Sequence, residues 1–243
     1  MKAIRNVTLL SISLLALALF AAAPAAYAGT ITYSTTQANA SDNLNNETVI
    51  PVIDQFNNVT GPYAGDLLNS VTITFVGTGM TTLTATDSDL NNPSTNVGVS
   101  STTAVTLDSS ISSINALLTA NSFQDSVSYG VSGQTVAPNS TQTWGPHTMN
   151  SAGGTTDTFN SGLGIFEGTG DLGFELNSST FVSSGATGGS FSAGQKNNGS
   201  GGIVTVTYDY SLPNVPEPGS LTLFGTGLLG LAGMLRRKFM ASR

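Results

Sequence analysis

The segment SVTITFVGTG, residues 70–79, most constrains what this chain can become. Val71, Ile73 and Phe75 fall on one side of an extended backbone, Thr72 and Thr74 on the other, and Gly77 and Gly79 close the run. STTAVTLDSS, DSVSYGVSG and GGIVTVTYDYSLP repeat the pattern, the last with Val204, Val206, Tyr208 and Tyr210 on one face. β-Branched and aromatic residues at period two, bounded by Gly, Asn and Ser, define half-buried antiparallel strands. Seven or more of them predict an all-β fold, an antiparallel β-sandwich or jelly-roll-like single domain. Ile111, Ile114, Leu117 and Leu118 in SSISSINALLTANS lie at helical spacing among weak helix formers, which leaves a short helix or an irregular strand. The Gly/Ser-rich stretch 183–202 is expected to be a mobile loop, and no internal repeat stands out.

The two ends differ from this body. Lys2 and Arg5 precede an apolar stretch from Val7 to Ala23, and Ala26-Tyr27-Ala28 offers a small-x-small site. This is the layout of a secretory signal peptide cleaved after Ala28. The division expected is therefore 1–28 signal peptide, 29–212 acidic β-domain and 213–243 C-terminal tail. Charge is split along the same lines: of seven Lys and Arg, only Lys196 lies in the body, which also holds thirteen of the fourteen acids. One cation against thirteen acids gives −12. A surface without cations to displace counterions from phosphates excludes nucleic-acid binding. The absence of Cys excludes a disulfide scaffold and thiol catalysis.

Candidate chemistry in the body is sparse. His147, the one histidine, sits in TWGPHTMN, where a turn with an exposed imidazole is expected; no Gly-x-Ser-x-Gly elbow accompanies it, and one His without Cys cannot build the usual zinc sites. Glu167 and Glu175 flank GTGDLG and would need a fixed separation to act as a hydrolytic pair. Asp87, Asp89 and Asn91 occupy the first, third and fifth places of an EF-hand-like loop, the weak calcium candidate of the chain. Asn92 stands there in place of the required Gly, and Gly98 in place of the closing Glu. Sequons begin at Asn46, Asn58, Asn139, Asn177 and Asn198, a hypothesis about surface loops only. The expectation is a protein without enzymatic activity or cofactor. The alternatives are a carbohydrate-binding module using Trp144 and the tyrosines, and a secreted hydrolase.

The tail sets NVPEPGS before an apolar run, Leu221 to Leu235, broken by four glycines and trailed by Arg236, Arg237 and Lys238. Fifteen helical residues span roughly 22 Å, short of a ~30 Å hydrocarbon core, and the basic cluster would hold the end on the cytoplasmic side. Such a segment suits a transient stop in the inner membrane. Val215 to Lys238 resembles the PEP-CTERM sorting signal: a Val-Pro-Glu-Pro motif, a short Gly-interrupted helix, then basic residues. The resemblance implies that Val215, Pro216, Glu217 and Pro218 are read by an exosortase and that the segment after them is removed. QFNNVTGPYAGDLLNSVTITFVGTG, GLGIFEGTGDLGFEL and GGIVTVTYDYSLP make the body similar to the choice-of-anchor E domain, which implies no particular activity. The expected protein is exported to the outer surface or extracellular matrix. Its expected role there is structural or adhesive in exopolysaccharide or biofilm, with matrix components as partners.

Overall fold

A computed structural model describes residues 28–41, 48–49, 52–213, 225–230 and 232. Residues Gly29–Ser211 form one compact unit, and the termini belong to another. The first unit is an antiparallel β-sandwich. One sheet contains β1 (Ala28–Ser41), β9 (Phe191–Ser211), β3 (Leu67–Asp87) and β6 (Ser140–Asn150) in that order, with β7 (Thr155–Phe159) also on β3. The facing sheet runs β2 (Thr48–Val49), β8 (Phe174–Thr187), β4 (Ser94–Ser109) and β5 (Gln124–Val136). A single α-helix among the described residues of this unit, α1 (Ser112–Ala120), links β4 to β5.

The central pair, β3 and β9, stays in antiparallel register from Leu67↔Ser211 to Asp87↔Phe191. Its alternation is interrupted once in a way that matters. Between the pairs Met80↔Gly199 and Thr82↔Lys196, β3 advances two residues and β9 three. The extra residue is a β-bulge, and it reverses which face the next side chains of β9 occupy. On one side of it, even-numbered Val204, Val206 and Tyr208 face the core; on the other, odd-numbered Phe191 and Ala193 do.

That reversal corrects the expected mobile loop at 183–202, most of which is strand: β8 continues to Thr187 and β9 starts at Phe191. The connecting turn depends on Gly189, whose φ is +62° and where a Cβ would stand 2.4 Å from Ser94 Oγ and 2.5 Å from Asp87 Oδ2. No side chain fits there, and glycine alone takes that conformation without strain.

The interior has two apolar ends and a polar waist. The larger cluster joins Val71, Ile73, Phe75, Val204, Val206 and Tyr208 to Val105, Leu107, Phe56 and the buried face of α1. The smaller contains Leu83, Ala85, Val97, Val99 and Val136. Along β3 the buried residues between them are Gly77, Gly79, Thr81 and Thr82, and along β4 Ser101 and Thr103. Side-chain hydrogen bonds tie the sheets across this belt: Ser101 Oγ donates to Gln195 Oε1 at 2.7 Å and Ser200 Oγ to Ser178 Oγ at 2.8 Å. Asp125 of β5 accepts from Gly77 N of β3 at 2.8 Å and from Ser151 Oγ at 2.9 Å. Burying these bonded groups is tolerable because each finds a partner, whereas the Thr82 hydroxyl is buried in the same belt without one.

Helix α1 resolves the ambiguity left by its sequence. Ile114 and Leu118, one turn apart, are fully buried, while no side chain caps its start at Ile111. Packing of this apolar stripe, rather than propensity, holds so short a helix.

The waist makes a stability test. Ser101→Ala leaves the Gln195 amide half-buried and short of a donor, and should cost about 1–3 kcal/mol in urea unfolding. Adding Gln195→Leu should recover part of that loss, because removing both partners removes the unpaired group. An equal or larger loss in the double variant would show that the bond is not the cause.

Candidate functional site

The tail residues singled out from sequence, Val215, Pro216, Glu217, Pro218, Arg236, Arg237 and Lys238, lie outside the described residues, as does Ala26. Ala28 opens β1. Residues 225–230 are helical, and among the described residues no helix is long and apolar enough to cross a membrane.

In the body, His147 is within strand β6 rather than in a turn, and its ring stacks on Tyr129 at 3.9 Å with an interplanar angle of 20°. Trp144, opposite Leu83, is half-buried against the smaller cluster, so its ring is packing material rather than an open platform. Glu167 comes after a short 3-10 turn and bridges Phe56, whereas Glu175 lies in β8 opposite Asp108 and Val49. The GTGDLG stretch therefore does not fold them into one hairpin. Of the sequons, Asn198 is buried and its Oδ1 accepts from Thr81 Oγ1 at 2.7 Å, which removes it from any surface loop.

Asp87, Asp89 and Asn91 do come together, as a self-satisfied turn. Asp87 Oδ1 accepts from Asp89 N at 2.8 Å and Ser190 N at 3.1 Å; Asp89 Oδ1 accepts from Asn91 N at 2.8 Å and Asn92 N at 3.1 Å. The Oδ1 oxygen of each carboxylate already serves two backbone donors, and Asp89 Oδ2 accepts from Asn92 Nδ2 at 3.4 Å. Among the described residues no cluster of three or more His, Asp or Glu side chains is placed to hold a metal. Burial alone would raise the Asp87 carboxyl, but the hydrogen bonds outweigh it and hold it below its usual value. The N–H of Asp89 contributes most to that lowering, followed by the neighbouring Ser94 and by the N–H of Ser190. Ser94 lies close, yet Oδ2 remains buried without a partner of good geometry. Asp89 is likewise held low, first by the N–H of Asn91 and then by Asn92.

Two surfaces of the sandwich offer binding chemistry. The first is the outer face of the β1-β9-β3-β7 sheet. Register aligns Thr207, Thr72 and Thr158 in one row and Thr205, Thr74 and Thr156 in the next. β1 extends the rows: Thr32 meets Thr207 at 3.1 Å and Ser34 meets Thr205 at 3.1 Å. On the other edge Thr72 meets Thr158 at 2.9 Å and Thr156 donates to Thr74 at 3.1 Å. The result is a grid of hydroxyls at strand spacing, roughly 4.8 Å across the sheet.

The second is a cleft of about 350 Å³ between the Asp54–Tyr63 segment, the start of β1 and the Gly168–Gly170 loop. Its aromatic wall is the half-buried pair Tyr33 and Tyr63, backed by buried Phe56. Tyr63 packs on Phe56 with centroids 6.0 Å apart and edge-on to Tyr210 at 5.3 Å; Tyr33 meets Tyr208 edge-on at 6.0 Å. Gln55 fixes the glycine loop: its N donates to Gly170 O at 2.9 Å, its Nε2 to Ile165 O at 3.1 Å, and its Oε1 accepts from Gly170 N at 3.3 Å. Gly168, at φ +151°, is where a Cβ would stand 2.4 Å from Gln55 Oε1. On the opposite wall Asn57 Oδ1 accepts from Val59 N at 3.2 Å and Thr60 N at 2.9 Å. The Tyr208 hydroxyl, raised well above its usual range chiefly by burial, donates to Asp54 O at 2.9 Å and anchors the cleft floor. Sequence alternation places Tyr208 and Tyr210 on the core face but gives no sign that Tyr33, Asp54 and Tyr63 meet.

Residues 214–238 match the PEP-CTERM protein-sorting motif. The chain thus carries the signal of an exported protein sorted by an exosortase to the cell envelope or surface. No curated protein matches the chain in sequence. Among solved structures, a chain of turnip yellow mosaic virus is 9% identical over 81% of this chain and 99% of its own, with a TM-score of 0.24. One of tomato aspermy virus is 11% identical over 81% and 84%, with a TM-score of 0.22. One of the Gx strain of infectious bursal disease virus is 13% identical over 81% and 34%, with a TM-score of 0.21. Likenesses at such scores decide nothing about this protein.

The Asp87–Asp89 turn predicts a pH response. Both carboxyls are depressed on folding, so their stabilisation is complete above the usual value near 3.8 and is lost as pH falls through the lower folded-state values. Thermal melts should be flat with respect to these groups down to about pH 4 and decline below it. Asp89→Ala should lower the melting temperature at neutral pH and make the acid decline shallower. An unchanged acid slope would show that other groups govern it.

Proposed function

We propose that the protein is an exported surface component with a structural or adhesive, non-catalytic role in an exopolysaccharide or biofilm matrix. The carrying observation is a PEP-CTERM motif at 214–238 in a chain whose residues Gly29–Ser211 form a compact β-sandwich. In this reading the leader is removed after Ala28 and the body crosses the inner membrane. The apolar run Leu221–Leu235 then pauses in the bilayer with Arg236, Arg237 and Lys238 behind it. Exosortase reads the extended Pro216-Glu217-Pro218 segment, which two prolines keep out of helix, and removes the apolar and basic residues beyond it. The released domain meets the matrix through its hydroxyl-rich outer sheet, whose Thr and Ser side chains offer both donors and acceptors to polysaccharide hydroxyls. The body fits the choice-of-anchor E description, a β-domain on interchangeable sorting tails. Glu167 and Glu175 are held by different partners rather than in one hairpin, which lends the hydrolase alternative no support.

The test is the intact mass and C-terminal peptide of the protein recovered from the producing cells. A surface-fraction protein beginning at Gly29 and ending within the Val215–Gly219 motif is the expected result. A chain retained in the inner membrane and still ending at Arg243 would overturn the sorting scheme.

A further inference from the structure

The Tyr33–Tyr63 cleft has features that packing of the sandwich does not require. We infer that it is a glycan-binding subsite that takes one or two pyranose rings of a neutral polysaccharide, with Tyr33 and Tyr63 against the sugar's C–H face and the Asp54 carboxylate accepting from its hydroxyls. The inference rests on the matrix role for its biological ligand and deepens it by naming the ligand's chemistry and place.

Three observations carry it. The cleft's volume, about 350 Å³, lies at the small end of the roughly 300–1,000 Å³ usual for ligand sites, which suits one or two rings rather than an extended segment. Its wall combines aromatic bodies with polar tips: Tyr33 and Tyr63 are half-buried, and each is braced from behind by another aromatic ring. A tyrosine so held offers apolar area and a hydrogen-bonding end with little rotamer entropy left to lose on binding.

The third observation is the contrast between spent and unspent polar groups. Gln55, Asn57 and the loop amides of Gly168 and Gly170 are committed to holding the walls. The exposed Asp54 carboxylate and the hydroxyls of Tyr33 and Tyr63 make no hydrogen bond among the described residues. The Asp54 backbone is nevertheless fixed, by the Tyr208 hydroxyl on its carbonyl and by its bridge to Asp171. Burial, then Tyr63, then Asp54 raises the Tyr33 hydroxyl above its usual value, so both of these lining residues lie within electrostatic reach of Tyr33. Unspent acceptors and donors lining one cleft beside an aromatic wall, on a prefixed frame, match a polyol with one apolar face.

Charge selects among glycans. The body carries thirteen acids and one cation, Lys196, which lies on β9 opposite Thr82 and not among the residues lining the cleft. Uronate or sulfate chains would meet repulsion from Asp54 and from the domain as a whole. A neutral chain meets neither.

Affinity gel electrophoresis of the full chain decides the matter, with dextran, laminarin, galactomannan and polysaccharide extracted from the producing cells as the neutral probes and alginate as the anionic one. Retardation by at least one neutral probe and none by alginate is expected. Asp54→Asn, a conservative change at an exposed carboxylate, should weaken retardation at least tenfold, as should Tyr63→Ala. Trp144→Phe, remote from the cleft, should leave it intact. Absence of retardation by every neutral probe, or retardation that Asp54→Asn and Tyr63→Ala leave unchanged, overturns the inference. A surface-processed protein that binds no glycan would sink this inference alone, whereas a glycan-binding protein retained uncleaved in the inner membrane would sink the sorting scheme alone.

Discussion

The pairing of β3 with β9 is the constraint on which the rest of this domain depends. It joins segments more than a hundred residues apart, Leu67–Asp87 and Phe191–Ser211, and supplies the inner faces of both apolar clusters. β1 is added on the free side of β9, and β6 and β7 lie end to end along the free side of β3. A one-residue slip in this pair would send Val204, Val206 and Tyr208 to solvent and Thr205 and Thr207 inward. The bulge between Gly199 and Lys196 is such a slip, introduced at one place. It lets a single long strand serve the larger cluster with even-numbered residues and the smaller with odd ones.

The waist between the clusters gives the sandwich its specificity. Apolar side chains alone would allow the sheets to slide, since hydrophobic contact is non-directional. Ser101–Gln195, Ser178–Ser200 and Asp125–Gly77 are directional, and each is satisfied in one alignment of the sheets. The same alignment brings Tyr208 beneath Asp54 and lets Phe56 pack on Tyr208 and Tyr210, with centroids 5.7 and 5.5 Å apart. Core packing therefore frames the cleft beside Tyr33, while the Asp54 carboxylate and the Tyr33 and Tyr63 hydroxyls that line it serve no bond of the fold among the described residues.

Much of the architecture is legible in the chain. The alternation around Val71–Phe75 and Val204–Tyr210 marks the central strands, whereas the spacing of Ile114 and Leu118 leaves helix and irregular strand both open, and packing decides for the helix. The stretch 183–202 misleads because its Gly and Ser content and the parity change at the bulge hide a strand from any period-two test. His147 reads as a turn residue because Gly145-Pro146 precedes it, yet strand pairing to Thr81 overrides that local signal. Asp87 and Asp89 read as ligands because a carboxylate at that spacing serves a backbone N–H or a cation equally well, and only the positions of the donors tell them apart.

Sequence by itself determined the class of fold, the acidity of the surface and the sorting of the protein, because each of these is carried by local pattern: period-two alternation, charge count, and a contiguous motif at 214–238. Tertiary structure alone decided which residues share a surface. The Thr and Ser grid requires four strands in register, and the cleft requires Tyr33, Asp54, Tyr63 and Gly168 to meet from segments with no common periodicity. Long-range pairing creates such neighbourhoods, and nothing in the spacing of a single chain encodes the distance between its distant parts.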